Sequence, residues 1–413
     1  MSHIRLASLN TLLFLLLFPL VPKAQDSPQW RGPNRDGVIP LYAGPQTWPT
    51  QLKQKWQVNI GAGHSSPLLV GKNIFVFTRQ GEEEVISCLE LDTGKVLWRA
   101  AYAAPYSVNP VARTHGAGPK STPAFSSGKL FTLGIGGILS SWDAKSGKLL
   151  WRREFSSDFK TTAPDFGTAT SPIVDGKLVI AFVGGSDSGA LMALDTESGK
   201  TVWKWPGDGP GYASPIVVGI AGARQVVTQS QQKIIGVSAM DGKLLWSIPF
   251  KTPYVQNIIT PILFKDLLIF SGLEQGVMAI RILRDGQTWK TEKVWENKSA
   301  SFYMSDPVIN GGKLFGMSQR NSGQFVALDA ATGKSLWGTK GREGDNTAVL
   351  TGGDTLFLLT SEAEFIVAKA SGAAFQEIRR YTVAKSPTYA HPVVAGKNVL
   401  IKDAENLTLW SIE

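Results

Sequence analysis

One short pattern, Gly-Lys-x-x-Trp, recurs five times in this 413-residue chain, at residues 94–98, 147–151, 199–203, 242–246 and 333–337. A strand-rich unit repeating every roughly 40–50 residues is the mark of a solenoid, an array or a propeller. Each copy follows an apolar run and a polar turn, as in Cys88-Leu89-Glu90-Leu91-Asp92-Thr93-Gly94. The Asp side chain accepts a hydrogen bond from backbone just ahead of it, and Gly adopts positive φ freely, so this stretch reads as a hairpin turn. The residues after Gly then form the next strand, with Trp as its large packing anchor.

A second marker lies upstream in each unit: Ser, Thr or Asp followed by Pro, opening a β-rich run. It occurs at Pro67, Pro123, Pro172, Pro215, Pro261 and Pro307; His391-Pro392 and Thr347-Ala348 stand in the two remaining places. Proline at the start of a strand suits an edge whose N–H needs no ladder partner, such as the innermost strand of a propeller blade. The markers are 41 to 56 residues apart and define eight units, each a Pro strand, two further strands, a turn and a Trp strand. Four strands per unit match a blade. After Pro392 the last unit supplies only three, whereas the segment around Trp56 is a Trp strand with no unit of its own. That strand is expected to complete the eighth blade and hide the edges an open array would expose. The reading is an all-β, eight-bladed β-propeller over residues 52–413, its ring closed by an N-terminal strand, with residues 25–51 as an N-terminal extension. The structural repeat residues are Trp56, Trp98, Trp151, Trp203, Trp246, Trp295 and Trp337. Two units are irregular: the fifth predicts a longer outer hairpin, and the seventh has Gln376 where Trp is expected.

Residues 1–24 read as a secretory signal peptide, with Arg5 ahead of an apolar run and Ala24 at the cleavage position. The apolar run is short for a membrane span, and no later one follows, so no stable span is expected once the leader is removed. A periplasmic or secreted location follows. Cys88 is the lone cysteine, which excludes an intrachain disulfide; it lies too far from the leader to accept a lipid, so no lipoprotein anchor is expected. The net charge of +9 falls to +7 without the leader's Arg5 and Lys23. The repeat lysines sit in equivalent turns around a ring rather than in one patch, so no nucleic-acid partner is expected. A monomer is.

The turn-and-Trp hairpin resembles the pyrroloquinoline quinone (PQQ)-type propeller repeat, over roughly residues 52–413. The segment Gln29-Trp30-Arg31-Gly32-Pro33-Asn34-Arg35-Asp36-Gly37 resembles the N-terminal signature of a group of secreted bacterial PQQ-like propellers. Two better-understood branches carry opposite implications. Quinoprotein alcohol and sugar dehydrogenases would imply PQQ and calcium over the propeller axis. The propeller lipoprotein of the outer-membrane β-barrel assembly machinery would imply a non-catalytic scaffold. The dehydrogenases' vicinal cysteine pair has no counterpart in a chain with one cysteine, and no match is identifiable for their calcium ligands or catalytic Asp. Scaffolding is therefore the expected role, for an envelope protein or a small polar ligand, with no catalytic residue, metal or cofactor assigned. A PQQ-dependent oxidoreductase with PQQ and calcium is the alternative.

In a propeller the connections from outer to inner strands deliver residues to the mouth of the central channel, where ligands usually bind. All three histidines beyond the leader fall in these connections: His64, His115 and His391. The first, second and eighth blades adjoin in a closed ring, so these side chains are expected on one side of the mouth. The other candidates are Arg113, Lys120, Asp165, Tyr212, Asn257, Tyr303, Asp345, Asn346 and Tyr389. Two connections are long, 25 residues from Trp98 to Pro123 and 21 from Trp151 to Pro172, against 11 to 15 elsewhere. Such loops are often functional; covering one end of the channel is the other role open to them. No Gly-x-Ser-x-Gly elbow or phosphate-binding glycine loop occurs.

Overall fold

The structure, a computed structural model, describes residues 26–186 and 188–413; the expected leader lies outside the described residues. Eight four-stranded antiparallel sheets form the ring. Seven are continuous in sequence, over residues 68–103, 124–153, 173–205, 216–249, 262–297, 308–338 and 347–382. In the eighth, Val393–Ala395, Asn398–Lys402 and Asn406–Ser411 are joined by Lys53–Asn59 as the outermost strand. The expected closure is present: the first strand of the ring pairs with the last. Each Pro marker directly precedes an inner strand, such as Leu68–Val70 after Pro67.

The core is not one mass. It is divided into eight apolar layers, each between the facing sheets of two neighbouring blades. The repeat pattern staples these layers. Trp98 donates its indole N–H to Ala144 O of the next blade at 3.1 Å, and Trp151 and Trp203 reach Thr196 O and Ala239 O at 3.0 Å. Trp56, Trp295 and Trp337 do the same, reaching Leu91 O, Ala330 O and Ser371 O. The ring of each of the first five packs flat on the next blade's turn glycine; a Cβ on Gly94 would stand 2.7 Å from Trp56. Glycine is thus required twice, for φ +71° and for the neighbour's indole. Trp246 is the exception and donates to Gln225 Oε1 of its own blade. The fifth blade, which it faces, has the longer outer hairpin expected, with strands Gly276–Asp285 and Thr288–Asn297.

The two variable residues of the pattern make room for a β-bulge. Cys88 opposes Trp98 and Leu89 opposes Val96, leaving Leu97 as the extra residue. The same shift places Arg379 opposite Val367 in the seventh blade, so Arg379, not Gln376, holds the Trp position there. A longer turn displaces the sequence alignment by three residues.

The Ser/Thr/Asp before each Pro has its own task, a belt of hydrogen bonds around the channel. The backbone N–H of His391 donates to Ser66 Oγ, that of Ser66 to Thr122 Oγ1, and that of Thr122 to Ser171 Oγ. The belt continues from Ser171 to Ser214, Thr260 and Asp306. The seventh blade breaks it: Thr347 N donates backwards to Ser305 Oγ.

Candidate functional site

Residues 26–40 fill the channel below this belt. Ser27 bridges Leu69 of the first blade, and Val38 bridges Thr351 of the seventh. Between them two arginines are fully buried. Arg35 donates to Ser171 O at 2.9 Å and Pro172 O at 2.7 Å. Arg31 donates to Pro307 O and lies 3.7 Å from Asp306. Burial lowers both guanidinium pKa values, that of Arg35 to about 9. The extension docks on the ring as its plug.

Above the plug is a cavity of about 340 Å³ at the mouth. It gathers eight of the sequence candidates: His64, His115, Lys120, Tyr212, Tyr303, Asn346, Tyr389 and His391. The other four do not line it. Arg113, Asp165 and Asp345 are exposed. Asn257 is buried in a structural role, its amide donating to Ser230 O, Gln231 O and Phe250 O while accepting from Thr252.

The histidines divide into two settings. His64 packs 4.6 Å from Tyr389 and 5.5 Å from His115, ring centroid to centroid. His391 stands edge-on to Trp30 at 5.6 Å, and its Nδ1 is buried without a protein partner. Burial pulls the pKa values of His64 and His391 down to about 3, so both are neutral at pH 7; His115, Lys120 and Lys402 lower that of His64 further. Lys120 and Lys402 are pulled down to about 8, again by burial. Burial also raises the phenols of Tyr212 and Tyr303. Among the described residues, no group of three or more His, Cys, Asp or Glu is placed to hold a metal ion.

Both long loops contribute. The first carries a 3-10 turn, Pro110–His115, capped by Asn109, whose side chain accepts from Val111 N. Val111, Ala112, His115 and Lys120 of that loop line the cavity, as do Phe166 and Ala169 of the second. Tyr102, in the outer strand of the first blade, is buried against the second blade and donates to the buried Glu84, whose other oxygen accepts from Ile135 N at 2.7 Å. Trp30 is among the lining residues that reasoning from the repeat missed, with Phe166, Gln256, Met304 and Asp306. The signal for Trp30 was the Gln29–Gly37 motif, which lies outside the repeat and carries no spacing that would place it in the channel.

With neutral histidines, half-buried phenols and one amine, the cavity is furnished to hold a ligand by ring contact and hydrogen bonding. A histidine with a pKa near 3 is a poor general base at neutral pH.

Comparison with known proteins agrees with this architecture. Residues 81–339 match the family model described as outer membrane protein assembly factor BamB. The BamB of Shewanella oneidensis is 26% identical over 247 residues, 58% of this chain and 60% of that protein, so the match spans less than two thirds of that relative's length. Among solved structures, BamB from Moraxella catarrhalis superposes with TM-score 0.63 at 17% identity, over 87% of this chain and 97% of that one. The quinohemoprotein alcohol dehydrogenase from Comamonas testosteroni superposes with TM-score 0.67 at 13% identity, over 94% of this chain and 80% of that one. At these identities the structural likeness concerns the fold alone.

Proposed function

The chain belongs to the outer membrane protein assembly factor BamB family, and from that premise we propose that it is an exported, non-catalytic propeller of the cell envelope. It acts as a binding or scaffold module for a protein or small polar ligand, held at the channel mouth and its loops. The observation that carries this reading is the mouth cavity itself: aromatic walls, a plugged floor, and histidines held neutral. No helix among the described residues is long and apolar enough to cross a membrane.

The donor set does not fit the alternative, PQQ with calcium. Calcium takes six to eight oxygen ligands, typically including carboxylates. Among the described residues Asp306 is the one carboxylate lining the cavity, and it already accepts from Thr260 N and faces Arg31. The axis beneath is occupied by Trp30, Arg31 and Arg35. The test is capture from an envelope extract on immobilised protein. Recovery of a partner by the wild type, lost with Tyr303→Ala/Tyr389→Ala, is expected. Dye reduction with alcohols or sugars after adding PQQ and calcium would overturn it.

A further inference from the structure

The mouth is ringed and underlain by cations that rest on carbonyl oxygens. Lys120 Nζ donates to Phe166 O at 2.7 Å. Lys402 Nζ donates to the carbonyls of Gly63, Asp403 and Ala404 at 2.5, 3.0 and 3.3 Å. Arg35 rests on Ser171 and Pro172. Arg31 has the Asp306 carboxylate beside it, Arg35 feels the same carboxylate, and Asp403 and Glu405 lie near Lys402. Burying a cation without a counter-ion is unfavourable, and carbonyl dipoles offset only part of the lost hydration. An anion in the cavity would offset more.

Lys120 differs from the other three because it lines the cavity. An ammonium has three donors. One is used on Phe166, and among the described residues the other two have no acceptor. Around it the walls are rings: Phe166 against Tyr212 at 6.1 Å, and His64 with Tyr389 and His115. Trp30 adds a further ring from the plug. Among the described residues the one lining carboxylate, Asp306, is already engaged, and the acids Asp165 and Asp345 are exposed outside the cavity. Two cavity-lining apolar residues, Val111 and Met304, are exposed to solvent, and Met304 has φ +52°. A non-glycine residue held at positive φ is a frequent feature of ligand clamps.

We propose that the cavity takes a carboxylate with an aromatic or apolar body, its charge on Lys120 and its body against the tyrosine, histidine and Trp30 rings. This rests on the binding-module reading and names its ligand class. The carboxylate has two sources, a free small acid or the carboxyl terminus of an extended polypeptide whose preceding residues cross the apolar rim.

Calorimetric titration of the purified protein tests this with four probes: benzoate, its neutral analogue benzamide, and the peptide acetyl-Gly-Val-Phe as free acid and as amide. At least one acid is expected to bind tenfold or more tighter than its neutral counterpart. Lys120→Gln should remove that preference and Lys120→Arg retain most of it, with thermal unfolding confirming that both variants fold. Preference confined to benzoate assigns the source to a free acid, and preference for the peptide acid assigns it to a polypeptide terminus. Binding of acids and neutral analogues with equal affinity, binding of none of the four, or a preference that survives Lys120→Gln overturns the proposal. A partner captured from extract with no such preference would overturn it while leaving the binding-module reading intact.

Discussion

Gly242 and Gly286 are both turn glycines at positive φ, 71° and 58°, and a Cβ meets different surroundings at each. At Gly242 it would stand 2.6 Å from the Trp203 indole of the preceding blade; at Gly286 nothing lies within 4 Å. Gly286→Ala should therefore cost about 1 kcal/mol, the left-handed strain alone. Gly242→Ala should cost about 2–4 kcal/mol, since overpacking adds to that strain. Urea denaturation of the two variants measures the difference; equal losses would mean that Trp203 does not staple the third blade to the fourth. The buried histidines make a second prediction at this scale. His64 and His391 have folded-state pKa values near 3, below the ordinary value of 6.5. Their contribution to stability is whole above that ordinary value and is lost as pH falls toward 3, because the unfolded chain then binds the extra protons. Lowering pH from 7.5 to 5 should cost on the order of 4 kcal/mol from this pair, about 2 from each ring. A His391→Asn variant should show a shallower fall in melting temperature across that window.

At the scale of the element, the N-terminal plug is where sequence and structure part company. The repeat was legible because each blade reuses the same turn and Trp chemistry, and eight copies average out local noise. Even the irregular fifth hairpin could be read from its shifted Trp. The segment 26–40 has no second copy to compare with, and its two arginines look like ordinary surface residues in sequence. Only the fold reveals that they bind carbonyls of the belt across the channel. Arg35→Met would leave two buried carbonyls without a donor and should cost about 1–3 kcal/mol. Arg31→Met strands the buried Asp306 carboxylate and should cost more, about 3–5 kcal/mol. Denaturation midpoints that ranked the two the other way would show that Arg31 does not serve as Asp306's counter-charge.

For the whole molecule, what the sequence made legible was connectivity: eight blades, their strand order and the closing strand. The candidate site was legible in part, because channel-mouth loops could be located by topology but not by reach. Arg113, Asp165 and Asp345 sit on the right loops with side chains outside the cavity. Asn257 was spent on loop backbone, a use no spacing rule distinguishes from ligand binding. The belt beneath the mouth also explains a marker read at first as a strand edge: Ser and Thr precede Pro because their hydroxyls accept from the neighbouring blade. The plug has one more consequence, and it concerns time. Its docking partners include Thr351 on the seventh blade, and the strand that follows it pairs with Asn406–Ser411. Contacts between such distant parts of a chain form slowly. Emerging from a ribosome or a secretion pore, the opening segment has no finished place to go until the closing one arrives. Refolding should therefore show a slow final phase in which the plug and the eighth blade lock together, preceded by a stage in which the seven continuous blades exist and the ring does not.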